Sequence, residues 1–364
     1  MAASPASGVE GVSLRPVWVE EMSRFERRSR ALALGQIGNT LVPYLLLWAA
    51  MIWVMRSGGP YWAVLLLAVP SALFLVRLFI LFHDCAHGSF FASRRANAVF
   101  GHVAGVLAFT PFEKWRASHW RHHATFGDLD RRNQGDVWTL TRREFAEGPG
   151  GRRLAYRLYR NPIMMFLVGP LFSFLVYQRF YLKGAGRREK VSVHITNASV
   201  VAIVLLATFG IGFRTYILIQ LPVLWFGGML GFWLFYIQHQ FEDVYWSRHA
   251  EWSRIRAALE GSSTYLLPPL LRWFTGNIGY HSAHHVRPLI PNYRLKEAHE
   301  STAALRAVKP LNIRTSLHSL KLRVWDENTR KLIGYRDASR RPQPPASPGS
   351  SSGSAPGPAP SAGG

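Results

Sequence analysis

The chain has 364 residues, with 43 Lys+Arg against 21 Asp+Glu, a formal charge of +22 and 48% apolar residues. A mean hydropathy near zero beside such a cationic excess is unusual for a soluble protein. The long uncharged stretches argue against a nucleic-acid binder, whose charges would be spread over a soluble fold. The single cysteine, Cys85, excludes an intramolecular disulfide framework, a Cys-based zinc site and an iron–sulfur cluster, so a transition metal would have to be held by histidine and carboxylate.

In chain order, residues 1–12 read as a flexible N-terminus, and Met1 to Arg30 contains no apolar run long enough for a secretory signal. Apolar blocks follow at Ile37–Val54, Tyr61–Phe82, Ile163–Tyr177, Val191–Phe213 and Tyr216–Ile237, with a shorter one at Ala96–Phe112. A bilayer core about 30 Å thick needs roughly 20 helical residues. The first, second, fourth and fifth blocks meet or approach that length, which predicts an all-α integral membrane protein with four transmembrane helices in two hairpins. Gly169 and Pro170 interrupt the block at Ile163, and His102 with several glycines interrupts the block at Ala96, so both are expected to be interfacial or re-entrant. Residues 13–335 are expected to form one membrane domain. Residues 336–364, ending RPQPPASPGSSSGSAPGPAPSAGG, are expected to be a disordered tail, because they cannot bury enough surface to offset their ordering entropy.

Basic residues are sparse in the turns Arg56–Pro60 and Phe213–Thr215 but dense before the first span and between the two hairpins. By the positive-inside rule both termini and the middle segment are expected to be cytoplasmic, in the cytoplasmic membrane of a bacterium. The positive charge then lies on one face, within reach of anionic headgroups and acidic partners.

Fourteen histidines are present, and eight of them fall in three clusters: His83 and His87 in HDCAHGSF, His119, His122 and His123 in HWRHH, and His281, His284 and His285 in HSAHH. On a helix, residues three and four apart share a face, so each cluster aims its imidazoles at one point, which is the arrangement a metal needs. In the four-span topology all three clusters lie on the same side of the membrane. A catalytic zinc takes three protein ligands and a haem one or two, so eight imidazoles point to two metals. Imidazole suits iron, and an iron pair can activate dioxygen where zinc cannot.

These residues resemble the membrane fatty acid desaturase family, and most closely its omega-6 (delta-12) acyl branch. The likeness extends past the clusters through HDCAHGSFF at His83–Phe91, HWRHHATFGDLDRR at His119–Arg132 and HHVRPLIPNYRL at His284–Leu295. The resemblance implies a His-bound di-iron centre that uses dioxygen and two external electrons to place a cis double bond in a fatty acyl lipid. It also implies a ninth ligand at the cytoplasmic end of the last span, where FYIQHQFED places His239. A ligating histidine needs a partner for its other ring nitrogen. Asp84, Asp128, Asp136, Glu242, Asp243 and Asn277 lie near the boxes, with Asp84 and Asp128 the leading candidates. Selectivity along a featureless chain calls for a narrow apolar tunnel, and the chain carries no Rossmann fingerprint or fused cytochrome. Electrons are therefore expected from a separate carrier such as ferredoxin or a cytochrome, docked on the basic face. A di-iron hydroxylase or ketolase acting on an alkane, acyl or carotenoid substrate shares the same logic; the HDCAHGSFF and PNYRL contexts favour the acyl desaturase. A haem carrier would place single histidines within spans and a transporter polar groups at the midplane, neither of which describes these clusters.

Overall fold

The computed structural model describes residues 16–339. The flexible N-terminus expected over 1–12 and the tail beyond 339 lie outside the described residues. The first residues of that expected tail belong instead to a short helix, Tyr335–Ala338.

Four long helices carry the apolar blocks: α1 (Arg30–Arg56), α2 (Tyr61–His87), α5 (Arg187–Ile211) and α6 (Phe213–His239), all long and apolar enough to cross a membrane. Between the two pairs lie α3 (Arg94–Leu107) and α4 (Phe112–Thr125), and the short α7 (His281–Val286) comes late in the chain. Where a long helix overruns its apolar block, charged and imidazole side chains fit as the segment leaves the hydrocarbon. At about 1.5 Å per residue, a 27-residue helix is about 40 Å long, more than the bilayer core. α3 has 14 residues and is too short to cross. The Ile163 block lies in the second arm of a helix pair, Gly150–Tyr159 and Met164–Arg179, bent by 63°. Gly169 and Pro170 stand at the start of its later helical segment, where proline lacks a backbone donor.

α2 is the central element. It packs against α1, α3 and α6, and its apolar window is 56% buried, against 17–39% for the other three. The largest apolar cluster forms around it, with Leu75, Leu78, Leu81 and Phe82 of α2 meeting Met51 of α1, Ala104 of α3 and Val223 of α6. Among the described residues strands are few. Thr264–Tyr265 pairs in parallel with Pro310–Leu311, and Val324–Asp326 antiparallel with Lys331–Ile333.

The tight α3–α4 turn presses Gly105 against its own return, with the Thr110 amide donating to the Gly105 carbonyl at 2.7 Å. A Cβ at Gly105 would lie 2.5 Å from the Thr110 carbonyl oxygen and 3.0 Å from the Phe82 ring. Gly105→Ala is therefore expected to cost about 1–3 kcal/mol through overpacking and to lower the unfolding temperature of the detergent-solubilised protein. Gly35→Ala, with nothing within 4 Å, is the matched control and is expected not to lower it.

Candidate metal centre

Each histidine cluster is delivered by a helix end. His83 and His87 occupy the last turn of α2, which stops at Gly88 in the left-handed conformation (φ 71°), with the Ser89 amide donating to the Asp84 carbonyl at 2.9 Å. His119, His122 and His123 line one side of α4, which starts after Pro111. His239 is the last residue of α6, and α7 carries His281, His284 and His285. All nine are buried.

Their ring nitrogens converge on two groups. His83, His87, His119 and His284 offer ligand atoms within 4.8 Å of one another, as do His122, His239 and His285. His281 Nε2 lies 2.9 Å from His239 Nε2 and 3.1 Å from His285 Nε2, which joins it to the second group. His123 bridges the two. Its Nε2 is 3.2 Å from His119 Nε2 and 3.0 Å from His284 Nε2, while its ring stacks on His285 at 4.2 Å.

A ring of Nε2 atoms facing one another cannot be satisfied by hydrogen bonding alone, since a neutral imidazole carries one proton for two nitrogens. His83 Nε2 and both nitrogens of His87 are buried without a hydrogen-bond partner. Burial, reinforced by the neighbouring imidazoles, holds His119, His123, His281, His284 and His285 well below the usual imidazole pKa. Neutral, inward-facing imidazoles with no carboxylate among them fit one or two borderline transition-metal cations, the oxygen-loving alkaline earths much less well.

Carboxylates stand behind two of the rings. Asp136 Oδ1 lies 2.5 Å from His122 Nδ1, and Asp84 Oδ1 lies 3.2 Å from His83 Nδ1. Asp84 is itself held by Asn292, whose backbone amide and Nδ2 donate to Oδ2 at 2.7 and 2.9 Å. The other candidates have different partners. Asp128 accepts from Arg131 at 2.6 Å and lies 2.8 Å from His249 Nδ1, tying the loop after α4 to the segment after α6. Burial raises its pKa, but these hydrogen bonds outweigh that and lower it. Asn277 donates to the Asn292 carbonyl at 3.2 Å. Glu242 and Asp243 pair with Lys331 at the surface. The isolated histidines are placed elsewhere as well: His102 Nδ1 lies 2.8 Å from the Ala98 carbonyl one turn back, and His299 packs on Tyr280. Of the aromatics, Trp115 stacks on His119 at 4.3 Å, Trp120 packs on His87 at 5.0 Å, and Phe235 stands 5.5 Å from His122 and from His239.

Asp136 fixes which nitrogen of His122 points inward. Asp136→Ala is expected to weaken metal retention about 10–100-fold with little loss of helix content. Metal analysis after graded chelation, beside circular dichroism, measures both.

The family model described as fatty acid desaturase matches residues 60–314. The chain is 42% identical over 331 residues to a fatty acid desaturase of Bacillus subtilis, covering 90% of this chain and 94% of that one. It is 27% identical over 284 residues to an sn-1 oleoyl-lipid 12-desaturase of Synechocystis, covering 74% and 72%. It is also 28% identical over 253 residues to a chloroplastic omega-6 fatty acid desaturase of Glycine max, covering 68% and 58%.

Proposed function

Because this chain belongs to the fatty acid desaturase family, we propose that its nine converging histidines hold two iron ions. His83, His87, His119 and His284 hold one and His122, His239 and His285 the other, with His123 and His281 completing the two shells. The protein is an integral membrane enzyme that desaturates fatty acyl chains. The observation that carries the di-iron reading is the division of one buried imidazole cluster into two groups.

When bound, the irons supply the dioxygen chemistry: one O2, two external electrons and two protons remove two hydrogens from adjacent methylenes, giving a double bond and two waters. The protein's part is position and dryness. Asp136 and Asp84 hold the outer nitrogens of His122 and His83, leaving Nε2 of each directed into the cluster. Trp115, Phe126 and Phe235 pack around the imidazoles and keep the dielectric low. No side chain here is basic enough to abstract a methylene proton, so the double-bond position follows from where the acyl chain is held.

The omega-6/delta-12 position is our reading of the three box contexts, supported by the similarity to 12- and omega-6 desaturases. The basic segments point the metal centre and both termini toward the cytoplasm. There the arginines between α4 and α5 face an acidic one-electron carrier such as ferredoxin or a cytochrome.

Purified protein is expected to carry about two non-haem irons per chain with no Soret band. His122→Ala and His284→Ala are each expected to lose iron and activity while keeping the wild-type helix content; full activity in either contradicts the assignment. Expression in a host rich in monounsaturated lipid should yield dienoic acyl chains, and hydroxylated products without dienes would overturn the desaturase reading in favour of a hydroxylase.

A further inference from the structure

The carboxylate behind His122 is carried by a segment with little regular structure of its own. Asp136 lies between α4 and the short helix Arg142–Glu147, in a stretch that is irregular apart from isolated bridges. Before Asp136 the chain is closed against α4 by Gly135, at φ 103°, where a Cβ would lie 3.0 Å from the Ser118 carbonyl oxygen and 3.4 Å from His122 Cβ. After Asp136 it is gripped by a different helix, to which the metal chemistry gives no task.

That helix is Gly150–Tyr159, ending at Arg160. Positions 156, 159 and 160 share one helix face, and all three side chains reach the backbone just beyond Asp136. The Leu140 amide donates to Tyr156 Oη at 3.1 Å and the Trp138 amide to Tyr159 Oη at 3.4 Å, while Arg160 Nη1 reaches the Trp138 carbonyl at 3.5 Å. The Trp138 ring stands edge-on to Tyr156 at 5.0 Å and to Tyr159 at 5.8 Å. Arg160 is 1% exposed; its Nη2 donates to the Leu322 carbonyl at 3.3 Å and its guanidinium lies over the Tyr236 ring at 5.5 Å. Tyr236 is one turn before His239 on α6. One turn of a helix without a histidine therefore holds the backbone two and four residues past Asp136 and rests on the helix that delivers His239. Burying a guanidinium against carbonyls and a ring is costly, so it is informative that the side chain is spent on this segment.

We propose that Tyr156, Tyr159 and Arg160 are positioning residues of the metal centre. By fixing the backbone at Trp138 and Leu140 they keep the Asp136 carboxylate on His122 Nδ1, and with it the direction in which His122 Nε2 points. The proposal rests on the di-iron reading and extends it to three side chains that touch neither metal group. The contact they serve is exacting: Asp136 Oδ1 lies 2.5 Å from His122 Nδ1, and a displacement of about 1 Å would take it out of hydrogen-bond range. With the outer nitrogen released, His122 is free to turn, and the group formed with His239 and His285 loses a fixed member.

The test is a double-mutant cycle on the full-length, detergent-solubilised protein, read by iron retained after graded chelation and by hydrogen exchange over Trp138–Leu140. Tyr156→Phe with Tyr159→Phe keeps both rings and removes only the two acceptors. The pair is expected to speed exchange in that segment and to weaken retention of one of the two irons, each by about tenfold. In an Asp136→Ala background the same pair is expected to change retention by less than about twofold, because the contact it serves is already gone. Arg160→Lys, which keeps the cation and alters its reach, repeats the cycle with the same expectation. Tyr335→Phe, whose hydroxyl is buried without a hydrogen-bond partner, is the matched control and is expected to change neither readout. Equal losses of retention with and without Asp136 would mean a general loosening of the fold, and unchanged retention with Asp136 present would mean that the carboxylate needs no clamp; either overturns the proposal. Wild-type protein with two irons whose retention ignores these variants sinks the clamp alone. Wild-type protein without two irons sinks the di-iron reading and the proposal's metal step with it, while the exchange over Trp138–Leu140 still reports the backbone grip.

Discussion

The structure answers to one constraint: nine imidazoles are buried together with ring nitrogens turned toward one another. Burying a charge or an unpaired polar atom costs free energy, and inward-facing imidazoles repel as soon as two are protonated. The cluster therefore makes physical sense as a receptacle for cations. The bilayer solves the geometric half of the problem. Two helical hairpins bring the ends of α2 and α6 to the same side, and α4 and α7, which need not cross, close over them with the remaining histidines.

The second half is orientation. His83 and His122 each have a carboxylate on the outer nitrogen, and Asp84 is further held by Asn292 from a distant part of the chain. A ring whose outer nitrogen is fixed presents the same inward nitrogen at all times, which a preorganised site requires. The Asn292–Gln36 contact continues this chain of polar groups from the histidine cluster into α1.

Much of this was legible in the sequence because the relevant signals are local. Four apolar blocks mark the spans, and HxxxH or HxxHH spacing puts ligands on one helix face whatever the tertiary structure. His239 was singled out by the family resemblance, which implies a ligand where the last span ends, and the structure brings it into the same cluster. What depends on long-range pairing was not legible. Asp128 lies closer to HWRHH in sequence than Asp136 does, yet the loop after α4 turns Asp136 to His122 and sends Asp128 to Arg131 and His249. Nearness along the chain favours the residue that does not reach the cluster. Asn277 lies four residues before His281, but its backbone is in the left-handed region (φ 57°) and its side chain donates to the Asn292 carbonyl. Arg77 is submerged in an apolar block whose average conceals it, and only the packing of Thr40 and Trp273 around it shows how its guanidinium is accommodated.

The claim on which the rest depends is that this cluster is two metal sites rather than one large one. Anomalous diffraction at the iron edge from crystals of the purified protein tests it most directly. The account predicts two peaks per chain, one among His83, His87, His119 and His284 and the other among His122, His239 and His285. A single peak, or iron bound away from these residues, would contradict it.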